Sequence, residues 1–193
     1  VFVEKPLCYS TDEARRIREA LRAHPECRLT TNTILRTSAR FRWVKAQCTA
    51  GNFGDLYAVE ADYNFGRLWK VTEGWRGRLP FYSAVYGGGV HAVDLLRWLT
   101  GDEVAEVSAY GNAIASRGSQ FQYRDCVSAL LKFRSGLVGR VCVNFGSVMP
   151  HFHPVALYGT KATFVNDVPH GRFYTSRDPA VAPQRVDAPY PGC

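Results

Sequence analysis

Apolar positions along this chain recur with two different periods, and the switch between them predicts its elements. In TDEARRIREALRA, Ile17 and Leu21 fall four apart, on one face of a helix. Ser10 is its N-cap residue, with Glu13 three positions on completing a capping box, and His24-Pro25 is its stop. RLTTNTILR (28–36) is rich in β-branched residues and predicts a strand; FRWVKAQCTAGNFG predicts a helix ended by Gly51. DLYAVEADYNFG (55–66) alternates, so a strand with one wet face is expected. Residues 67–90 hold Gly, Pro, Trp and Tyr with no period and predict a long loop of functional type. A helix is expected over His91–Thr100, stopped by Gly101. Strand-like runs follow in EVAEVSAYGNAIA, DCVSALLKFRS, GLVGRVCVNFG, PVALYGT and KATFVND, with a tight hairpin turn at Arg134-Ser135-Gly136. Such short connections predict an antiparallel meander. From Thr175 the chain reads as a Pro-rich loop without a closing element. The opening VFVEKPL reads as the end of a buried strand with nothing before it to pair with, so a piece of a longer protein is expected.

Composition narrows the class. Of 193 residues, 46% are hydrophobic, enough for a core and too many for a disordered chain. No apolar run approaches a membrane span, and VFVEKPL has neither the basic lead nor the cleavage site of a secretory signal. The net charge is +7, yet the basic residues are scattered. The densest group, ARRIREALR, shares its helix with Asp12, Glu13 and Glu19, which describes a solvated face; no nucleic-acid partner is expected. None of the six cysteines forms a C-x-x-C pair, so the zinc signal is absent. Cys142, inside LVGRVCVNF, reads as a small buried hydrophobe, and a reducing, cytoplasmic compartment is expected.

The candidate chemistry gathers in YGGGVHAVDLLRWLTGDEV (86–104). No strand precedes its glycines and no G-x-G-x-x-G spacing is present, which argues against a dinucleotide fingerprint. Three glycines let backbone approach closely and lead into a helix N-terminus. His91 and Asp94, three apart, share a face with Leu95 and Trp98. At the head of a helix the dipole would hold His91 neutral near pH 7, suiting general acid–base work. The same spacing also describes a His near a cap with Asp94 complementing the dipole. Lys5 follows the opening strand, where a side chain at a strand's carboxyl end points into a ligand crevice; an exposed strand-end Lys is the plainer reading. His151 and His153 share one side of a strand. With His91 they suggest a metal site; alternatively they line a substrate cleft beside Asn144. Trp69, Trp75, Tyr82 and Tyr86 would suit stacking on a saccharide, as in a non-enzymatic sugar-binding or oligomerisation module.

Glu4-Lys5-Pro6, followed about 85 residues on by GGGVHAVDLLRWLTGDEV, resembles the Gfo/Idh/MocA oxidoreductases. Asn32, Arg36, FGDL after the Gly51 helix, Trp75-Arg76 and DCVSALLKFRSGLVGRV also fall where that pattern places them. The resemblance implies an α+β fold: a mostly antiparallel open sheet with helices on one face, preceded by the end of a Rossmann-type α/β unit. Residues 1–30 would be the remnant of a dinucleotide-binding domain, and 31–193 a C-terminally incomplete domain for substrate binding and oligomerisation. It implies hydride transfer between NAD or NADP and a sugar or polyol carbon. Lys5 and His91 are the implied catalytic residues. Glu4, Lys5, Pro6, Trp75 and Arg76 would contact the cofactor, and Asp94 would lie beside the substrate, with no metal. Asn144 is a further substrate-side candidate. Many members carry an Asp four residues before the catalytic His; here Gly87 stands there. With the glycine fingerprint missing from these 193 residues, the chain by itself is expected to be inactive. A homo-oligomer through the sheet face is expected.

Overall fold

A computed structural model describes residues 1–190. The first elements form a small parallel unit. β1 (Phe2–Val3) pairs in parallel with β2 (Thr30–Thr31), and α1 (Thr11–Ala23) connects them. Ser10 caps α1 as its sequence predicts, its side chain accepting from the Glu13 amide at 3.1 Å. The Glu13 carboxylate accepts instead from the amide of Tyr9, at 2.7 Å. α1 buries none of its residues, and Phe2 of β1 is exposed, so the opening strand is not a buried one among the described residues.

RLTTNTILR yields only β2, after which a 3-10 turn over Ile34–Thr37 leads directly into α2 (Ala39–Thr49). The expected strand stops because Leu35 is drawn into the core, where its side chain is almost fully buried. β3 (Leu56–Asn64) follows, alternating as predicted: Val59, Ala61 and Tyr63 point inward. Segment 67–90 is not an open loop. It holds a short helix α3 (Trp69–Thr72), a 3-10 turn (Trp75–Arg78) and a π-turn (Val85–Gly89) that runs into α4 (Val90–Thr100). Gly101, with φ +72°, ends α4 in the left-handed conformation that glycine adopts freely.

The remaining strands are β4 (Val104–Asn112), β5 (Cys126–Phe133), β6 (Val138–Asn144), β7 (Val155–Gly159), β8 (Thr163–Asn166), β9 (Gly171–Tyr174) and β10 (Gln184–Val186). The hairpin turn between β5 and β6 lies where the sequence places it, the Gly136 amide donating to the Phe133 carbonyl. The strands build one eight-stranded sheet in the order β10-β9-β8-β7-β3-β6-β5-β4. A simple meander is therefore corrected in one respect. β3 inserts between β6 and β7 and pairs with β6 in parallel, while every other neighbour is antiparallel. Its residues Val59, Ala61 and Tyr63 are buried on the core side, as suits a central strand. β10 also corrects the reading of the tail as loop alone.

α2 and α4 cover one face. Phe41 and Val44 from α2, and Leu95, Leu96 and Leu99 from α4, pack with Val141, Val143, Leu157 and Phe164 of the sheet. Cys142 lies on the opposite face, half-buried beside Arg140, because neighbouring positions on a strand alternate and Val141 and Val143 take the core side. The five described cysteines are free thiols.

Arg40 fastens the tail to this core. It is 3% exposed, and its guanidinium donates to the Ala188, Asp167 and Pro169 carbonyls and to Asn166 Oδ1, at 2.8–3.0 Å. Breaking a buried, fully bonded charge leaves several carbonyls unpaired. Arg40→Leu is expected to lower stability by about 3–5 kcal/mol, read from urea unfolding; a loss below about 1 kcal/mol would show that the tail does not depend on it.

Candidate active site

Lys5 and His91 meet at one cavity although they are distant in sequence. Lys5 leaves β1 just after Glu4, whose carboxylate accepts from Asn32 Nδ2 at 2.9 Å after β2. Lys5 Nζ crosses to the glycine stretch and donates to the Gly87 carbonyl. A cavity of about 200 Å3 opens there, lined by Lys5, Ile34, Tyr63, Phe65, Arg67, His91, His151 and His153. A larger hollow, about 640 Å3, runs along α1, lined by Leu7, Cys8, Ile17 and Ala20 with the charged Glu13, Arg16 and Glu19.

The glycines serve packing rather than a phosphate loop. They lie inside a continuous helical path from Ala84, so His91 sits more than a turn in, not at the helix head. A Cβ on Gly87 would strike the Tyr82 hydroxyl, one on Gly88 the Tyr63 ring, and one on Gly89 the Val143 side chain at 2.6 Å. The π-turn is the widening that lets this backbone lie against the sheet. Where the family pattern has an acidic side chain at position 87, the Gly87 carbonyl receives the Lys5 amine and the Tyr82 hydroxyl fills the adjoining space.

Tyr63, at the middle of the sheet, organises the histidines. Its ring stacks on His91, with centroids 6.2 Å apart and 18° between planes. His151 and His153 meet it edge-on, at 5.0 and 5.2 Å, and each other at 4.7 Å. They come from a loop joined to Asn64 by an isolated bridge at Phe152, rather than from a regular strand. His151 Nδ1 lies 3.0 Å from the Asn64 carbonyl, which fixes the proton on that nitrogen. His153 Nδ1 is bonded to the Tyr190 hydroxyl, so the tail closes the cavity from behind. His91 Nδ1 and His153 Nε2 are buried without a hydrogen-bond partner. Among the described residues no three His, Cys, Asp or Glu side chains converge as metal ligands.

Burial keeps these imidazoles neutral. It is the largest cause lowering His91 from 6.5 to about 4, with the Lys5 charge second and Asp94 opposing. His153 is lowered to about 3 by burial, then by His151 and His91. Burial also lowers His151, with Arg67, Lys70 and Lys5 adding to it. Neutral His91 is thus the expected outcome, by desolvation and a neighbouring charge rather than the helix dipole. Lys5 is lowered by burial first, then by Arg76 and Lys70, while Glu4 opposes.

Other candidates fall around the cavity rather than in it. Asp94 is committed to Arg36 in a two-pronged pair, at 2.8 and 2.5 Å. Asn144 is turned to the Gly146 amide, its Oδ1 accepting at 3.1 Å. Neither lines the cavity. Trp75 is 61% exposed with the Arg76 guanidinium 4.6 Å over its ring. Pro6 follows Lys5 through a cis peptide bond. Tyr63, Phe65 and Arg67 carried no signal in the sequence beyond the alternation of β3 and a basic residue after it.

The family model for the GFO/IDH/MocA C-terminal domain matches residues 41–165, more than half the chain. The chain belongs to the Gfo/Idh/MocA oxidoreductase family. No curated protein matched the sequence. Among solved structures, an oxidoreductase domain protein from Kribbella flavida is 24% identical with a TM-score of 0.79, over 97% of this chain and 55% of its own. An oxidoreductase from Desulfitobacterium hafniense described as NADPH-dependent is 22% identical with a TM-score of 0.80, over 96% of this chain and 57% of its own. An inositol dehydrogenase homologue from Azotobacter vinelandii, crystallised with NADH and myo-inositol, is 20% identical with a TM-score of 0.79, over 96% and 49%. At these identities the likeness shows the fold. This family member spans about half the length of those proteins. No helix among its described residues is long and apolar enough to cross a membrane.

The neutral histidines make stability depend on pH. His91 and His153 titrate near 6.5 when unfolded, so below that pH the unfolded chain binds protons that the folded chain refuses. Stability therefore falls as pH drops from 6.5 to about 4, the His91 shift alone contributing about 3 kcal/mol at about 1.4 kcal/mol per unit. Urea midpoints at pH 7 and pH 4.5 measure this. His153→Phe is expected to flatten the dependence, and an unchanged slope would show that His153 does not titrate on unfolding.

Proposed function

We propose that Lys5 and His91 form the proton-handling end of a nicotinamide-dependent oxidoreductase acting on an alcohol carbon of a sugar or polyol. The observation that carries this is the meeting of the two side chains at one cavity from elements about 85 residues apart, Lys5 anchored on the Gly87 carbonyl. Lys5, cationic and partly withdrawn from water, polarises and orients the substrate oxygen. His91, held neutral, takes the hydroxyl proton on oxidation and returns it on reduction. NAD or NADP, when bound, accepts or delivers the hydride.

The residues present fit such a cofactor. Trp75 offers an exposed planar face with Arg76 stacked on it, and Arg76 acts electrostatically on Lys5. Glu4, Lys5, Pro6, Trp75 and Arg76 are the residues that would hold its reacting end. Residues 1–30 are read as the tail of the dinucleotide-binding domain and 31–193 as the substrate domain. α1, with no buried residue, and its half-exposed Ile17 and Leu21 support further polypeptide packing there. Asp94 acts through Arg36 rather than on substrate, and Asn144 stands one position from the inward-facing Val143. The free thiols suit a reducing, cytoplasmic setting.

The protein expressed from its whole reading frame tests the reading, with NAD+ or NADP+ and a panel of polyols and sugars. His91→Asn is expected to lower kcat by about 10²–10⁴-fold with the cofactor KM little changed, and Lys5→Met to lower kcat/KM similarly. Full turnover in His91→Asn would overturn it. Residues 1–193 alone are expected to show none.

The same reading places a homo-oligomer on the sheet's outer face. Tyr110, Leu130 and Val138 are exposed there on three adjacent strands, 86%, 58% and 52% accessible. Leu130→Glu is expected to shift the light-scattering mass from dimer or larger to monomer; a monomeric wild-type protein would refute the interface.

A further inference from the structure

His153 lines the cavity and is 2% exposed, yet its Nε2 is buried without a hydrogen-bond partner among the described residues. The rest of the residue is held. Its amide donates to the Tyr190 hydroxyl at 3.2 Å, its Nδ1 is bonded to the same hydroxyl, and its carbonyl accepts from Asn166 Nδ2 at 2.8 Å. Asn166 is held in turn by the Arg40 guanidinium, at 3.0 Å. With Nδ1 tied behind the cavity, Nε2 is the nitrogen turned to its interior. His151 stands beside it, the two ring centroids 4.7 Å apart. Nδ1 of His151 donates to the Asn64 carbonyl at 3.0 Å, so on the neutral ring Nε2 is a bare acceptor. Burial holds both rings neutral.

A buried nitrogen left without a partner costs free energy that a ligand group recovers. The Tyr190 hydroxyl can give or take a proton, so His153 Nε2 is a donor in one tautomer and an acceptor in the other. A hydroxyl satisfies either one, because it donates and accepts. The bare His151 nitrogen needs a donor, which a hydroxyl supplies and a carbonyl or ether oxygen does not. We propose that His151 and His153 bind a second hydroxyl of the substrate, one that does not react, and so select a polyhydroxylated molecule over a monohydric alcohol, while Tyr190 and Asn64 set the two rings. This rests on the oxidoreductase reading for which hydroxyl reacts at Lys5 and His91, but binding of the second hydroxyl is measured without turnover. His91 lies against the face of Tyr63 and the pair against its edges, so the two hydroxyls meet different parts of the cavity. The side chains of Ile34 and Phe65 in its wall face the carbon skeleton between them.

The protein from its whole reading frame is titrated with cyclohexanol, the 1,2-, 1,3- and 1,4-cyclohexanediols and the matching fluorocyclohexanols, with NADH or NADPH present so that nothing is oxidised. The imidazole nitrogen NMR signals of His151 and His153 are followed. At least one diol is expected to bind about tenfold or more tightly than cyclohexanol and to move the Nε2 signals of both rings. The favoured isomer gives the spacing of the two hydroxyls. Its fluoro analogue, close in size but without the second proton, is expected to bind like cyclohexanol. His153→Asn keeps a polar group on the Tyr190 side and removes the one facing the cavity, and is expected to lower the diol preference about tenfold. His153→Gln returns an amide near the Nε2 position and is expected to restore part of it, an order that a merely structural role would not produce. Cyclohexanol binding as tightly as every diol would overturn the proposal. So would a bound diol that leaves both Nε2 signals unmoved, a reading that needs no variant to fold. If the diol preference holds and the whole protein oxidises no alcohol, the oxidoreductase reading fails and the hydroxyl site remains.

Discussion

The ring of Tyr63 is the contact on which the rest of this site depends. It stands on the central strand and rises against the backbone of the glycine helix, where Gly88 leaves no room even for a Cβ. Because the backbone lies that close, the helix that follows brings His91 flat onto the same ring. The loop after β6 brings His151 and His153 to its edges. Phe65 and Phe145 complete an aromatic layer around it, at 5.6 and 6.0 Å. A packed interior transmits such constraints because it has few voids in which a misplaced side chain can be absorbed. A helix pushed outward by one methyl group would lift His91 off the Tyr63 ring and carry away the Gly87 carbonyl that holds Lys5.

Electrostatics then follow from packing. The aromatic layer removes water, and the removal of water is the first cause of every lowered imidazole and of lowered Lys5. Cations at the rim add to this in the same direction. The outcome is a cavity lined by uncharged imidazoles. Such a site becomes unstable when acid forces protons onto the buried rings.

The C-terminal tail belongs to the site as much as the strands do. Tyr190 packs edge-on to Phe41 and Phe152 and bonds His153 from behind. Arg40 holds the residues just before it, its guanidinium donating to the Ala188 carbonyl and its amide to that of Pro189. A segment with little regular structure is thus fixed by one buried guanidinium, which offers several donors in a rigid fork.

Much was legible in the sequence because it is local. Ser10 as cap, Gly101 as stop, the alternation of β3, the hairpin at Gly136 and the helix carrying His91 all rest on residues within a few positions of one another. The pairing of Glu4-Lys5-Pro6 with the glycine and His91 stretch pointed to the family that the domain match shows. Local signals also misled: β-branched residues in RLTTNTILR favoured a strand that burial of Leu35 cut short, and the glycines promised a helix head that close packing made a helix interior. What only the tertiary structure decided is which distant groups share a space. The insertion of β3 between β6 and β7, the gathering of three histidines around Tyr63 and the diversion of Asp94 to Arg36 join residues far apart in the chain. Spacing along a chain fixes periodicity and caps, whereas burial and charge at a site depend on every element packed against it.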